Sequence, residues 1–232
     1  MKPGSEQPVA DLLAGYRSPQ ARVDSHTRLL RTSLFMHGNR VVRAVEVAGD
    51  LGNALRHVAE QPEVRAVEEA INPYLEENRD LADPSSARAF FARAALPAAS
   101  YRATPGADLA GGRDHGPLTR LAYLYPVRAG QGAEVARLLA EVDAVAAGDP
   151  AHPLAAATVF HRDDVVVRMI DVRGPASGGS GTAGLPGATV RALRELLVPG
   201  GPDDAADPAG LGLGGYPMTP VTDRTSSEAS ER

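Results

Sequence analysis

The chain contains no cysteine and no tryptophan, and aromatic residues make up only 4% of its 232 positions. Without cysteine there can be no disulfide, no thiolate nucleophile and no cysteine metal site. Basic residues are not in excess: 24 Lys and Arg stand against 29 Asp and Glu, a formal net charge of −5. That balance argues against nucleic acid or an anionic membrane as the main partner. No apolar run approaches the roughly 18 residues needed to span a bilayer. Met1-Lys2-Pro3-Gly4-Ser5-Glu6 leads into a polar helix rather than an apolar segment, so no secretory signal is read and a cytoplasmic location is expected. What is abundant is glycine (24) and proline (19), together roughly a fifth of the chain.

The sequence is similar to itself. Ser33–Val47 (SLFMHGNRVVRAVEV) lies over Thr158–Val172 (TVFHRDDVVVRMIDV) at a shift of 125, with identities at Phe35/Phe160, Val41/Val166, Val42/Val167, Arg43/Arg168 and Val47/Val172. Five identities exceed the one or so, an order-of-magnitude figure, that average composition would give. Met1–Ala14 matches Val127–Ala140 at a shift of 126. Two copies of one unit are therefore expected.

Each copy reads as a helix followed by a hairpin. Val9, Leu12, Leu13 and Tyr16, and Val135, Leu138, Leu139 and Val142, have the i, i+3, i+4, i+7 spacing of an amphipathic helix. Arg28–Met36 with Val41–Ala48, and Ala156–His161 with Val165–Val172, read as antiparallel hairpins. Asp50 caps a helix, Pro62 opens another, and Val190, Leu193 and Leu197 mark a helix in copy two. Ala87–Ala95 is read as a closing strand. Thr119–Val127 supplies the leading strand of a ferredoxin-like βαββαβ unit in copy two, whereas its counterpart in copy one would precede Met1.

The predicted fold class is thus α+β: tandem ferredoxin-like repeats forming a pseudo-dimeric α+β barrel, the first strand of repeat one missing. Repeat one spans 1–96, a linker 97–117, and repeat two 118–200 with a flexible insertion at 174–187. Residues 201–232 are expected to be mostly irregular tail, with a short edge strand within Tyr216–Val221.

Two stretches match G-x-G-x-x-G, at 179–184 and 210–215. Neither runs from a strand straight into a helix, so neither reads as a dinucleotide loop. The six histidines form no i, i+4 pair, and no metal site is expected. His37 and His161 both fall at the end of the second strand of their hairpin units. They read either as turn-flanking surface residues or as general bases at a barrel mouth. Arg43 and Arg168 interrupt Val-Val-Arg-x-[Val/Ile] strands, where a buried guanidinium must find an anion or reach water. Glu46 and Asp171, three residues on, lie on the other strand face. Two readings stay open: a salt bridge to another strand, or a cavity wall stabilising a phenolate, enolate or carboxylate.

Phe35–Arg43, Gly49-Asp50-Leu51, His57–Val64, Asn72–Glu76, Arg79-Asp80-Leu81, Val159-Phe160 with Asp164–Arg168, and Met218 with Val221–Arg224 together resemble the SchA/CurD-like family of actinobacterial type II polyketide and spore-pigment clusters. Copy one is more distantly similar to tetracenomycin-type polyketide cyclases, although a histidine of that pattern is replaced by Arg43. The resemblance implies a tailoring enzyme that oxygenates a polycyclic phenolic intermediate without a cofactor. The alternatives are a polyketide cyclase or aromatase, or a non-catalytic polyketide-binding accessory protein. In the oxygenase reading His37, His161, Arg43 and Arg168 are the catalytic candidates. Tyr123 and Tyr125 serve as hydrogen-bond donors there, and Phe35 and Phe160 contact substrate. The implied partners are a polycyclic aromatic polyketide, other type II synthase or tailoring enzymes, and a second copy of the chain as a homodimer.

Overall fold

A computed structural model describes residues 1–77, 79–81, 83–105, 118–174, 185–198 and 215–226. The chain forms two compact units, Met1–Ala95 with Thr219–Arg232, and Leu96–Met218. Both G-x-G-x-x-G stretches, apart from Gly215, and most of the insertion predicted at 174–187 lie outside the described residues.

In unit 1, α1 (Glu6–Gly15) is followed by the hairpin β1 (Arg28–His37) and β2 (Arg40–Ala48). Then come α2 (Leu51–Glu60), α3 (Pro62–Ile71), a single 3-10 turn at Asn72–Tyr74, and α4 (Pro84–Ala94). The helix starts follow sequence chemistry: the Asp50 carboxylate accepts from the Asn53 amide at 2.6 Å, and Pro62 occupies the first turn of α3. The stretch predicted as a closing strand, Ala87–Ala95, instead falls on α4, with Ala95 as its C-cap. Asp83 caps that helix through the Ser85 amide at 2.8 Å, Pro84 fixes its first turn, and its alanines and arginines favour helix. Those start signals outweigh the β preference of Phe90-Phe91.

Unit 2 runs β3 (Ala98–Ala103), β4 (Leu118–Pro126), α5 (Gly132–Ala147), β5 (Leu154–Arg162), β6 (Val165–Arg173), α6 (Gly187–Leu196) and β7 (Tyr216–Pro217). Its antiparallel sheet has the order β3-β5-β6-β4-β7. The β5-β6-β4 core with α5 and α6 in its crossovers is the ferredoxin-like arrangement, and a bridge from Val127 to Leu197 begins the fourth position. Residues 97–117, read as a linker, contain β3. Ala98–Ala103 pairs along β5 because that edge would otherwise leave a row of backbone groups open.

The chain returns to unit 1 as β8 (Thr219–Thr225), which pairs antiparallel with β1 in a sheet ordered β2-β1-β8. The tail predicted to be mostly irregular thus ends in an edge strand. Pro220 is tolerated there because the ladder bulges between Leu34 and Phe35. Asp223 ties the strand down: Arg31 donates to it through Nε at 2.7 Å and through Nη2, and Ser33 Oγ donates at 2.9 Å. Unit 1 packs Val9, Leu13, Leu34, Val67 and Ile71 into one core. Unit 2 has a larger one, in which Tyr125, Val135, Leu139, Val159, Val166 and Ile170 lie between the sheet and α5. No helix among the described residues is long and apolar enough to cross a membrane.

Candidate functional site

Strand register decides which of the predicted residues share a face. In unit 2, Arg168 stands across from Tyr123 on β4 and from Val159 on β5, and His161 stands across from Val166. Alternation along each strand then puts Tyr123, Tyr125, His161 and Arg168 on the one face that α5 covers. Phe160 pairs with Val167 and lies on the other face.

Arg168 is buried to 2% exposure, and the predicted need for an anion is met from α5. Its Nε and Nη2 donate to Asp143 Oδ1 at 2.9 and 2.5 Å, and Asp143 is 1% exposed. The wholly buried Tyr125 hydroxyl lies against this guanidinium with no partner in hydrogen-bonding geometry, and Asp143 Oδ2 also lacks one. Burial pushes the Tyr125 phenol well above its ordinary range, against the pull of Arg168, so it stays a neutral donor. Burial raises Tyr123 in the same way. Burial by itself would lower Arg168, but Tyr125 and Asp143 outweigh it and hold the guanidinium above its usual value. Gly215 closes over this group: a Cβ there would come within 2.6 Å of the Tyr125 ring.

His161 sits at the other end of the layer. Its buried Nδ1 has no partner and lies 3.7 Å from where a Cβ on Gly132 would be, in the first turn of α5. Eleven residues of α5 separate Gly132 from Asp143, about 16 Å along the axis.

Unit 1 arranges its residues differently. Arg43 lies across from Leu34 on the helix-covered face, and its Nη1 donates to Glu68 Oε1 on α3 at 2.7 Å. His37 pairs with Arg40 and Phe35 with Val42, so both lie on the opposite face from Arg43. His37 and Arg43 therefore do not meet. At the shift of 125, Met36 rather than His37 is the positional counterpart of His161. The sequence reading also missed Arg79, whose Nη2 donates to Glu68 Oε2 at 2.5 Å and to the Glu68 carbonyl at 3.1 Å. Asn72 places it: the Asn72 amide donates to the Arg79 carbonyl at 2.9 Å, and the Arg79 amide donates to Asn72 Oδ1 at 3.4 Å. The paired Asn72 and Arg79 were the available signal, since both fall in segments that carried the family resemblance.

Asp171 on β6 takes a bidentate bond from Arg120 across the strands, at 2.9 and 2.6 Å on the face opposite Arg168. Among the described residues no group of His, Asp and Glu side chains converges as a metal site requires.

This α+β architecture, with ferredoxin-like strand order in unit 2, is similar to that of a crystal structure of a candidate monooxygenase from Fusobacterium nucleatum. The two share 6% sequence identity at a TM-score of 0.51, over 97% of this chain and 90% of that one. Such a likeness defines the fold alone. Residues 1–104 match the SchA/CurD like domain. It is 55% identical over 98% of its length to a 42.8 kDa protein in the whiE locus of Streptomyces coelicolor. It is 52% identical, again over 98%, to a Streptomyces cyaneus protein named polyketide synthase CurD. The chain covers 57% and 62% of the lengths of these two relatives.

Proposed function

We propose that the chain serves aromatic (type II) polyketide biosynthesis as a tailoring enzyme, oxygenating a polycyclic phenolic intermediate without a cofactor. The observation that carries this reading is the helix-covered face of unit 2. One guanidinium, one neutral phenol and two further polar atoms lie buried there, and Tyr125 Oη, Asp143 Oδ2 and His161 Nδ1 all lack partners. Buried polar atoms are nearly always bonded, so three orphans in one layer favour an oxygen-bearing ligand.

In this reading His161 Nδ1 takes the proton of an activated ring methylene, while Arg168 and the Tyr125 hydroxyl hold the oxyanion conjugated with it. The carbanionic ring passes its electrons to dioxygen. One oxygen atom is kept as a ring carbonyl, and the other leaves as water with the two hydrogens of the oxidised carbon. Tyr123 lines the same face, Phe160 contacts neither group, and His37 and Phe35 take no part.

The same reading treats the two units as tandem copies, 1–96 and 118–200. The Met1 amine donates to the Asn39 carbonyl in the turn of one hairpin, and the Val127 amide donates to the Asp164 carbonyl in the turn of the other. The outer edge of the first hairpin strand is covered by β8 in unit 1 and by β3 in unit 2.

The test is oxygen uptake by the purified chain with an anthrone or naphthol and no added flavin or metal. One dioxygen consumed per product, lost in Arg168→Ala, is the expected result. A second reading, a polyketide-binding accessory protein, is favoured by the ion pair of Arg168 with Asp143, which leaves its charge already compensated. Saturable binding without oxygen uptake selects it. Ring closure under nitrogen selects a cyclase.

A further inference from the structure

Glu68 in unit 1 is shared between two guanidinium groups, and a third stands nearby. Arg43 donates to Glu68 Oε1 and Arg79 to Oε2. Arg224 donates to Ser18 Oγ at 3.3 Å and to the Ala14 carbonyl at 3.0 Å, and meets no carboxylate among the described residues. Tyr16 links the groups, its ring centre 5.9 Å from the Arg43 guanidinium carbon and 4.8 Å from that of Arg224. One carboxylate against three cations leaves positive charge in excess. The Nε donors of Arg43 and Arg79 are buried without partners.

The two arginines on Glu68 differ in access. The Arg79 side chain is 3% exposed and covered by the rings of Phe90 and Phe91, with centroids at 5.0 and 5.4 Å, whereas that of Arg43 is 27% exposed. Uncompensated charge held partly away from water is stabilised by an anion, and a guanidinium fork fits a carboxylate or phenolate oxygen. Guanidinium planes and phenol rings also stack on flat aromatic systems.

We propose that unit 1 carries a binding site for a planar aromatic anion. Its carboxylate or phenolate oxygen is held by the open side of Arg43, and its rings lie beside Tyr16. Arg79 and Glu68 act as positioning residues behind Arg43, and Arg224 supplies the further positive charge that draws the anion in. The site does not depend on any chemistry in unit 2, and it gives Arg43 a role that His37, on the other face, does not share.

The experiment is NMR titration of the full chain with 2-naphthoate (carboxylate) and with 4-nitro-1-naphtholate (phenolate), with sulfate at matched ionic strength as the simple-anion control. Saturable shifts of the Tyr16 ring signals are expected from one or both aromatic anions, and the stronger binder identifies the headgroup. Arg43→Gln should weaken binding by about tenfold or more, the usual effect of losing a bond to a charged group. Glu68→Gln should tighten it several-fold, because it removes the anion that competes for both guanidinium groups. A purely structural triad would give no such gain. Should Glu68→Gln fail to fold, the Tyr16 shifts and the Arg43→Gln loss still decide. Absence of saturable Tyr16 shifts, affinity indifferent to Arg43→Gln, or equal competition by sulfate would each overturn the proposal.

Discussion

Arg168 and Asp143 meet through a single carboxylate oxygen: Nε and Nη2 of Arg168 donate to Oδ1, while the equally buried Oδ2 has no partner. The pair is therefore compensated in charge but incomplete in hydrogen bonding. Removing only one partner should be severe. Asp143→Ala removes the carboxylate that compensates a buried guanidinium and is expected to cost about 3–5 kcal/mol. The double variant Asp143→Leu/Arg168→Met should be less destabilised than either single change, because no ion is then left unpaired. Urea unfolding of the four proteins closes the cycle. A double variant as unstable as the singles would mean the pair is not an isolated ionic contact.

Tyr125→Phe removes a hydroxyl that makes no hydrogen bond, so stability at neutral pH should change by less than about 1 kcal/mol. If the hydroxyl holds an oxyanion, turnover should instead fall by about 10²-fold. Parallel urea melts and oxygen-uptake rates separate the two effects.

The same tyrosine sets an alkaline limit. Its phenol in the folded chain ionises well above the ordinary 10.0, chiefly through burial. Above pH 10.0 the unfolded chain has released this proton and the folded chain has not, so stability falls as pH rises. Below that pH both states keep the proton and the group contributes no slope. Tyr123, raised by the same cause, adds in the same direction. Urea midpoints measured on either side of pH 10.0 should drop in the native sequence and drop less in Tyr125→Phe.

Gly132 is a packing requirement. A Cβ there would stand 2.0 Å from the Asp163 carbonyl oxygen, a backbone atom in the β5–β6 turn that cannot swing aside. Gly132→Ala is expected to cost about 1–3 kcal/mol and to displace His161, which lies beside the same turn. Thermal unfolding reports the first effect, and a shift of the His161 ring signals reports the second.

The two histidines give a comparison. His161 shares a face with Arg168, and His37 is turned away from Arg43. His161→Ala should lower oxygen uptake by about 10²-fold, and His37→Ala far less. Equal losses would remove the base role from His161.

Much of this architecture was legible from residue order. Val9, Leu13, Val135 and Leu139 carry the helical period and are buried as that period requires. The two hairpins, Asp50 and Pro62 stand where their local chemistry places them. At Ala87–Ala95 the deciding signal lies upstream, in the Asp83-Pro84 helix start, and outweighs the two phenylalanine rings.

Sequence by itself determined the local elements, the parity that sets Arg168 apart from Asp171 along one strand, and the exclusion of thiol chemistry. Tertiary structure alone decided the ionic partners. Asp143 and Glu68 each lie 25 residues from their arginine, and Asp223 lies 192 residues from Arg31. It also decided which strand faces are covered by helices, and so parted His37 from Arg43 while keeping His161 with Arg168. The physical reason is that alternation along a strand orders residues into two sets, but only packing against a second element tells which set is buried and which charge from elsewhere in the chain arrives to meet it.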